Sequence, residues 1–321
     1  VLTESHSDPP NPSPIFGRGS CSRAQWSPAS VTQPQLHCGD ALGSAELAYA
    51  RGLELETQND AHCVDCFFQA ATSAWPAIAD DLCGECTPHG RAAEVYHSAL
   101  IKLITAGQSF RRFNPKQGLT VHSSAGVKTI PTGYRGFVWE PEDFDFVTPV
   151  GEYTTKELTR FYRCAGLGVT TVVTRCRRHG ETFVRPKQVF SATVLLRPVV
   201  DGPQPARHYV LEFFDPLRIS AVTTATCEVP LARDLTAPIV YLLSQANRDY
   251  VTNFLQPGSN SAETGLFMIE PYQPGKIPVV IVHGLLSDPF TWVDLFNEVR
   301  AHPDIIARYQ FLGFQYATGE P

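Results

Sequence analysis

The chain has 321 residues, 43% of them hydrophobic and 18% charged, with a formal net charge of −6. That balance lacks the basic footprint of a nucleic-acid binder, and no apolar run approaches the ~18–20 residues that a membrane-spanning helix needs. Aromatic content of 11% and the lack of a sustained heptad exclude collagen-like, coiled-coil and wholly disordered classes.

In chain order, residues 1–43 hold clustered Pro and Ser with few aliphatics and read as a flexible leader. Gly19-Ser20-Cys21 has the look of a lipobox, but Arg18 precedes it and no apolar h-region is present, so Cys21 reads as an ordinary cysteine. Residues 44–113 read as a helical module. Its first segment carries Leu47, Ala50 and Leu53; its second starts near Asp60 and sets Val64, Phe67, Phe68, Ala71 and Trp75 on one stripe, with Pro76 perturbing or ending it. Thr87-Pro88 fits the N-cap and first turn of a third helix, whose apolar face is Val95, Tyr96, Ala99, Leu100 and Leu103.

Residues 114–230 turn to Gly, Thr, Val and aromatics, a β-rich region with strands expected at 119–122, 168–175, 189–197 and 208–214. Tyr134 to Val150, aromatic and acidic, reads as a covering loop. Arg175, Arg177, Arg178 and His179 read as a solvated strand end or turn, with phosphate or anion binding as the other reading, and Asp215 as part of a strand-end turn. A helix is expected from Thr236 to Leu255, with Ile239, Leu242, Leu243 and Ala246 at helical spacing. Ile277 to Gly284, IPVVIVHG, reads as a buried β-branched strand of the kind covered on both faces in a parallel sheet. Ser287-Asp288-Pro289 then starts a helix with Trp292, Leu295, Phe296 and Val299 on one face, and residues 309–316 form the next strand. Strand, helix, strand in about 40 residues is a βαβ unit.

Two sets of residues carry chemistry. Cys63-x-x-Cys66 and Cys83-x-x-Cys86 have the spacing of a four-thiolate zinc site, although the first pair falls within a helical pattern. A disulfide or free thiols are the alternatives, and His62 and His89 flank the pairs as further candidate ligands. Nine cysteines are an odd count, which leaves the compartment open, with the cell envelope favoured over the cytoplasm. The second set is His283, Gly284 and Leu285, where a glycine without a Cβ lets the chain turn sharply and present backbone N–H groups. Read from residues alone, His-Gly also ends buried strands of other α/β domains. His122-Ser123-Ser124-Ala125-Gly126 places a serine in an H-x-S-x-G setting, but no helix-like sequence follows it. No P-loop or G-x-G-x-x-G is present, and no cofactor is expected.

The stretch PVVIVHGLLSDPFTW, with the span 271–321 around it, resembles the α/β-hydrolases of the lipase and esterase branch, and is similar to a bacterial group with large N-terminal extensions. The resemblance covers about a sixth of the chain and implies an incomplete hydrolase domain over 231–321. It implies that Leu285 donates an oxyanion-hole N–H, that His283 and Gly284 shape the loop, and that Ser, acid and His all follow the fourth strand. The triad is then expected beyond Pro321, and this chain by itself is expected to be inactive. The implied substrate is a small acyl ester or lipid-like molecule. Tyr49, Gly52, Asp60, Phe68, Ala71 and Pro76 resemble one tetratricopeptide unit, which implies a docking site for a protein partner; a plain helical hairpin is the other reading. The fold class expected is therefore mixed: an α-helical module, a β-rich middle and a parallel α/β-hydrolase sheet. A non-catalytic binding or scaffold protein is the alternative function.

Overall fold

The computed structural model describes residues 41–85, 90–124, 126–156, 158–199, 208–224, 228–244, 265–282 and 292–315. Among these residues the chain forms six helices and five small sheets, a mixed α/β arrangement with no closed barrel. Most of the expected leader, with Cys21, and the Thr87-Pro88 pair lie outside the described residues.

Helices α1 (Ala41–Thr57), α2 (Cys63–Glu85) and α3 (Gly90–Ser109) pack on one another. α1 buries Ala45, Ala48, Tyr49, Gly52 and Leu55 instead of the expected stripe, and Leu47 is 46% exposed. The cause is close approach: a Cβ on Gly52 would lie 2.5 Å from the Phe67 ring, so small residues face α2. α2 runs through Pro76 where an end or perturbation was expected. Pro76 lies on the exposed side, where a carbonyl without its amide partner can bond to water. α3 buries Val95, Tyr96, Ala99, Leu100 and Leu103, as their spacing predicts.

β1 (Phe113–Asn114), β2 (Gly118–Ser123) and β3 (Gly126–Ile130) make an antiparallel sheet beside these helices. Then come β4 (Thr132–Arg135), β5 (Phe146–Pro149), β6 (Arg163–Cys164), β7 (Val169–Cys176), β8 (Lys187–Val199) and β9 (His208–Phe214). Five of them form a sheet in the order β4-β9-β8-β7-β5, antiparallel except for the β4–β9 pair. The stretch from Tyr134 to Val150 is not a cover: it contributes to both edge strands. Its Trp139 stacks on Phe190, and Phe144 meets Phe190 and Phe213 edge-on, so these aromatics fill the core.

One contiguous core runs from α1–α3 into the five-stranded sheet. Tyr96 ties the two layers. Its hydroxyl donates to the Leu196 carbonyl at 2.9 Å and accepts from the Leu196 N–H at 3.0 Å. The β7 ladder on β8 stops at Val194, so the hydroxyl serves the backbone groups that a strand partner no longer reaches.

β10 (Ala221–Thr223) pairs with β11 (Glu228–Pro230), and β12 (Arg233–Asp234) with β6. Residues 237–244 form α4 and bury Ile239 and Leu243; the rest of the helix expected to Leu255 lies outside the described residues. The last sheet joins β13 (Gly265–Met268), β14 (Ile277–Val282) and β15 (Tyr309–Gln315) in the order β13-β15-β14. β14 and β15 run parallel in register from Ile277↔Tyr309 to Val282↔Phe314, linked through α5 (Val293–Arg300) and α6 (Pro303–Arg308). β13 is antiparallel to β15, so this sheet is mixed where an all-parallel one was expected. β14 is not the buried strand expected: Ile277, Val280 and Val282 are exposed. It has no strand on its outer edge among the described residues, and α5 packs on β15 through Phe296 and Phe311.

Candidate functional site

The first candidate set lies on α2. Cys63 and Cys66 open the helix and the Cys83 backbone closes it, in one continuous helix from Cys63 to Glu85. At 1.5 Å per residue the two positions stand about 30 Å apart along the axis. The fold therefore does not bring the first pair to the end of the helix that carries Cys83. Cys86 and His89 lie outside the described residues. Cys63 and Cys66 are free thiols. Cys63 is buried in the core, and burial, aided by Glu56, pushes its pKa up to about 11; Cys66 is raised by burial and by Asp65. Such thiols hold their protons at neutral pH and are poor nucleophiles.

The second set, His283, Gly284 and Leu285, lies outside the described residues, but both flanks of that loop are held. The Trp292 indole N–H donates to the carbonyl of Val282, the last residue of β14, at 2.9 Å. α5 is fastened to the β-rich body by a row of polar contacts. Asp294 accepts the Thr159 N–H at 3.1 Å and its hydroxyl at 2.8 Å. Asn297, 1% exposed, donates to the Arg160 carbonyl and accepts from the Thr236 hydroxyl, each at 2.9 Å. Glu298 takes the Tyr162 hydroxyl and pairs with Arg160 at 3.1 Å. The chain thus leaves β14 at the strand's C-terminal end, at Val282, and is next described at Trp292, where it enters a clamped helix. In open α/β sheets ligands bind at that end of the strands.

A small cavity lined by Glu270, Phe296, Arg300, Tyr309 and Gln310 lies at the opposite end, by the start of β15. Its polar lining is internal: Arg300 lies 4.0 Å from Glu270, which also faces Arg218 at 3.7 Å. Arg218 in turn pairs with Asp215. Asp215 also accepts the Leu217 N–H, which makes it the turn residue that its setting predicts.

The basic cluster departs from its expectation at Arg175 alone; Arg177, Arg178 and His179 are exposed just past β7, as a solvated strand end requires. Arg175 is 5% exposed and donates to Asp143 at 2.7 Å, to Gln188 at 3.1 Å and to Glu181. Arg178 reaches the same Asp143 oxygen at 2.9 Å. The cluster is an ion-pair network that pins residues 141–143 to β7; Glu181 is local, but Asp143 stands too far back in the chain for local pattern to reveal it.

One grouping has no signature in the sequence. His62, just ahead of α2, and Asp65, in its first turn, meet His122 of β2. Only the i, i+3 spacing of His62 and Asp65 at a helix start hints at it; His122 arrives through the fold. Ser124, beyond β2, is exposed in the turn to β3.

Compared with known protein families, with curated proteins and with solved structures, the chain matches none.

Proposed function

We propose that this chain carries the oxyanion-loop portion of an α/β-hydrolase that cleaves small acyl esters or lipid-like esters. The observation that supports this reading is the in-register parallel pair β14–β15 with helices α5 and α6 between them, His283 to Leu285 following directly on the C-terminal end of β14 in the sequence. In this reading Leu285 offers a backbone N–H to the oxygen that becomes negative in a tetrahedral acyl intermediate, where fixed donors gain most. Gly284 permits the turn and His283 orients it. The Trp292–Val282 bond and the clamp on α5 hold the loop's ends still, which a preorganised oxyanion hole requires. The close contact of α1 and α2 at Gly52 supports reading that hairpin as a tetratricopeptide-like docking element.

The chain contains no G-x-S-x-G, so the nucleophile of this reading belongs to sequence after Pro321. The test is to express the reading frame continued past Pro321 and treat the product with a fluorophosphonate probe. A covalent adduct that disappears when the serine of the first downstream G-x-S-x-G is changed to alanine is the expected result. A continuous frame with no such elbow, or an adduct indifferent to that serine, ends the hydrolase reading.

A further inference from the structure

We propose that His62, Asp65 and His122 form a binding site for a divalent transition-metal ion, zinc by its ligand set. One ligand atom from each residue lies within 4.8 Å of those of the other two. Bonds of about 2.0–2.2 Å to a tetrahedral ion need ligand atoms about 3.3–3.5 Å apart. The closure required is at most about 1.5 Å, and both imidazoles are exposed side chains free of core packing.

The three residues are positioned by bonds that leave their ligand atoms available. Asp60 Oδ1 accepts the His62 backbone N–H at 2.9 Å and lies 2.8 Å from its ring Nδ1. An ionised carboxylate only accepts, so in the neutral ring Nδ1 carries the proton and Nε2 keeps its lone pair for a metal. Carboxylate–histidine pairing of this kind fixes tautomer and ring orientation in metal sites. Asp65 is held by Arg112, which donates to both carboxylate oxygens, the Oδ2 contact being 3.1 Å; Oδ1 also takes the His122 backbone N–H at 2.6 Å. Of the roughly four acceptor positions on a carboxylate, these bonds leave one, on Oδ2. The His122 N–H bond sets the β2 backbone against the first turn of α2, and the two imidazoles stand edge-on, centroids 6.3 Å apart. Asp60 and Asp65 supply two carboxylates at the cluster, Arg112 bonding to Asp65 and Arg51 acting on Asp60 from further off.

Three protein ligands on an exposed edge leave the fourth position to water, the ligand count of an open zinc site. The thiols are not part of it: Cys63 points into the core. An ion here would join the α1–α2 turn to the β2–β3 hairpin, two segments far apart in sequence.

The test titrates zinc chloride into the purified 321-residue chain by calorimetry, with thermal melting alongside. One equivalent is expected to bind and to raise the melting midpoint. His62→Gln and His122→Gln, both at exposed positions, are each expected to weaken binding at least tenfold while their zinc-free melting stays within a few degrees of wild type. Asp60→Asn is expected to cost about 10–100-fold, as loss of an orienting partner does. A Cys63→Ser, Cys66→Ser double variant is expected to bind as wild type. Absence of a zinc equivalent, binding indifferent to both histidines, or binding lost in the cysteine variant instead would overturn the proposal.

Discussion

His97 is wholly inside the protein, and its Nε2 accepts the Gly168 N–H at 3.0 Å, which fixes a neutral ring as part of the core. Burial pushes its pKa down to about 4, whereas an exposed histidine titrates near 6.5. Between those values the unfolded chain binds the proton and the folded one does not, so stability falls as pH drops through that window. The loss is about 2 kcal/mol at pH 5 and about 3 kcal/mol once pH is below 4. Urea unfolding at pH 7.5 and pH 5 should therefore show wild type losing about 2 kcal/mol more than His97→Gln, whose amide oxygen takes over the acceptor role. Equal losses in the two proteins would remove His97 as the source. At this scale the sequence was half legible. The apolar face of α3 announced Tyr96 and its neighbours, yet Leu196, Gly168 and Asp143, which give Tyr96, His97 and Arg175 their roles, stand 32 to 100 residues away.

Helices and strands were legible where period and composition agreed. The spans of β7, β8 and β9 follow their β-branched and aromatic runs closely. α1 was misread on its face because alanine and glycine carry little hydrophobic signal, although they decide how near α2 can come. Gly52→Ala should destabilise the fold by about 1–3 kcal/mol, since the new methyl meets Phe67; chemical denaturation measures it directly. Tyr96→Phe should cost about 2–3 kcal/mol, because it leaves both backbone groups of Leu196 buried without a partner. β14 was misread for the opposite reason. Its apolar run signals a covered strand, but coverage depends on neighbours that the run does not encode. An exposed apolar edge is a template for pairing between molecules. Val280→Lys should reduce concentration-dependent association in light scattering while leaving the secondary structure unchanged.

For the molecule as a whole, the helices and the five-stranded sheet share one core, while β13–β15 and α5 attach through polar clamps and a small apolar cluster of Val293 and Phe296 on Leu158, Ile239 and Leu243. Asn297 and its partner Thr236 are the most buried of those contacts. Asn297→Ala should accelerate amide hydrogen exchange in β14 and β15 more than in β7–β9, as a subunit loosened from its support would. Exchange rising equally everywhere would mean that the two parts unfold as one. Of the candidate site, the strand–helix–strand order was readable from the chain. The clamp from residues 159–162 was not, since Thr159, Arg160 and Tyr162 lack any pattern that points to α5.

The strand order β13-β15-β14 also has a consequence in time. Neither β13 nor β14 bonds to the other; each needs β15, the last of the three to leave the ribosome. At synthesis rates of about 5–20 residues per second, the interval from Val282 to Gln315 lasts about 2–7 s. For that interval the nascent protein displays an apolar ribbon with no mate among the described residues, which makes this stretch the one most exposed to misassociation during translation.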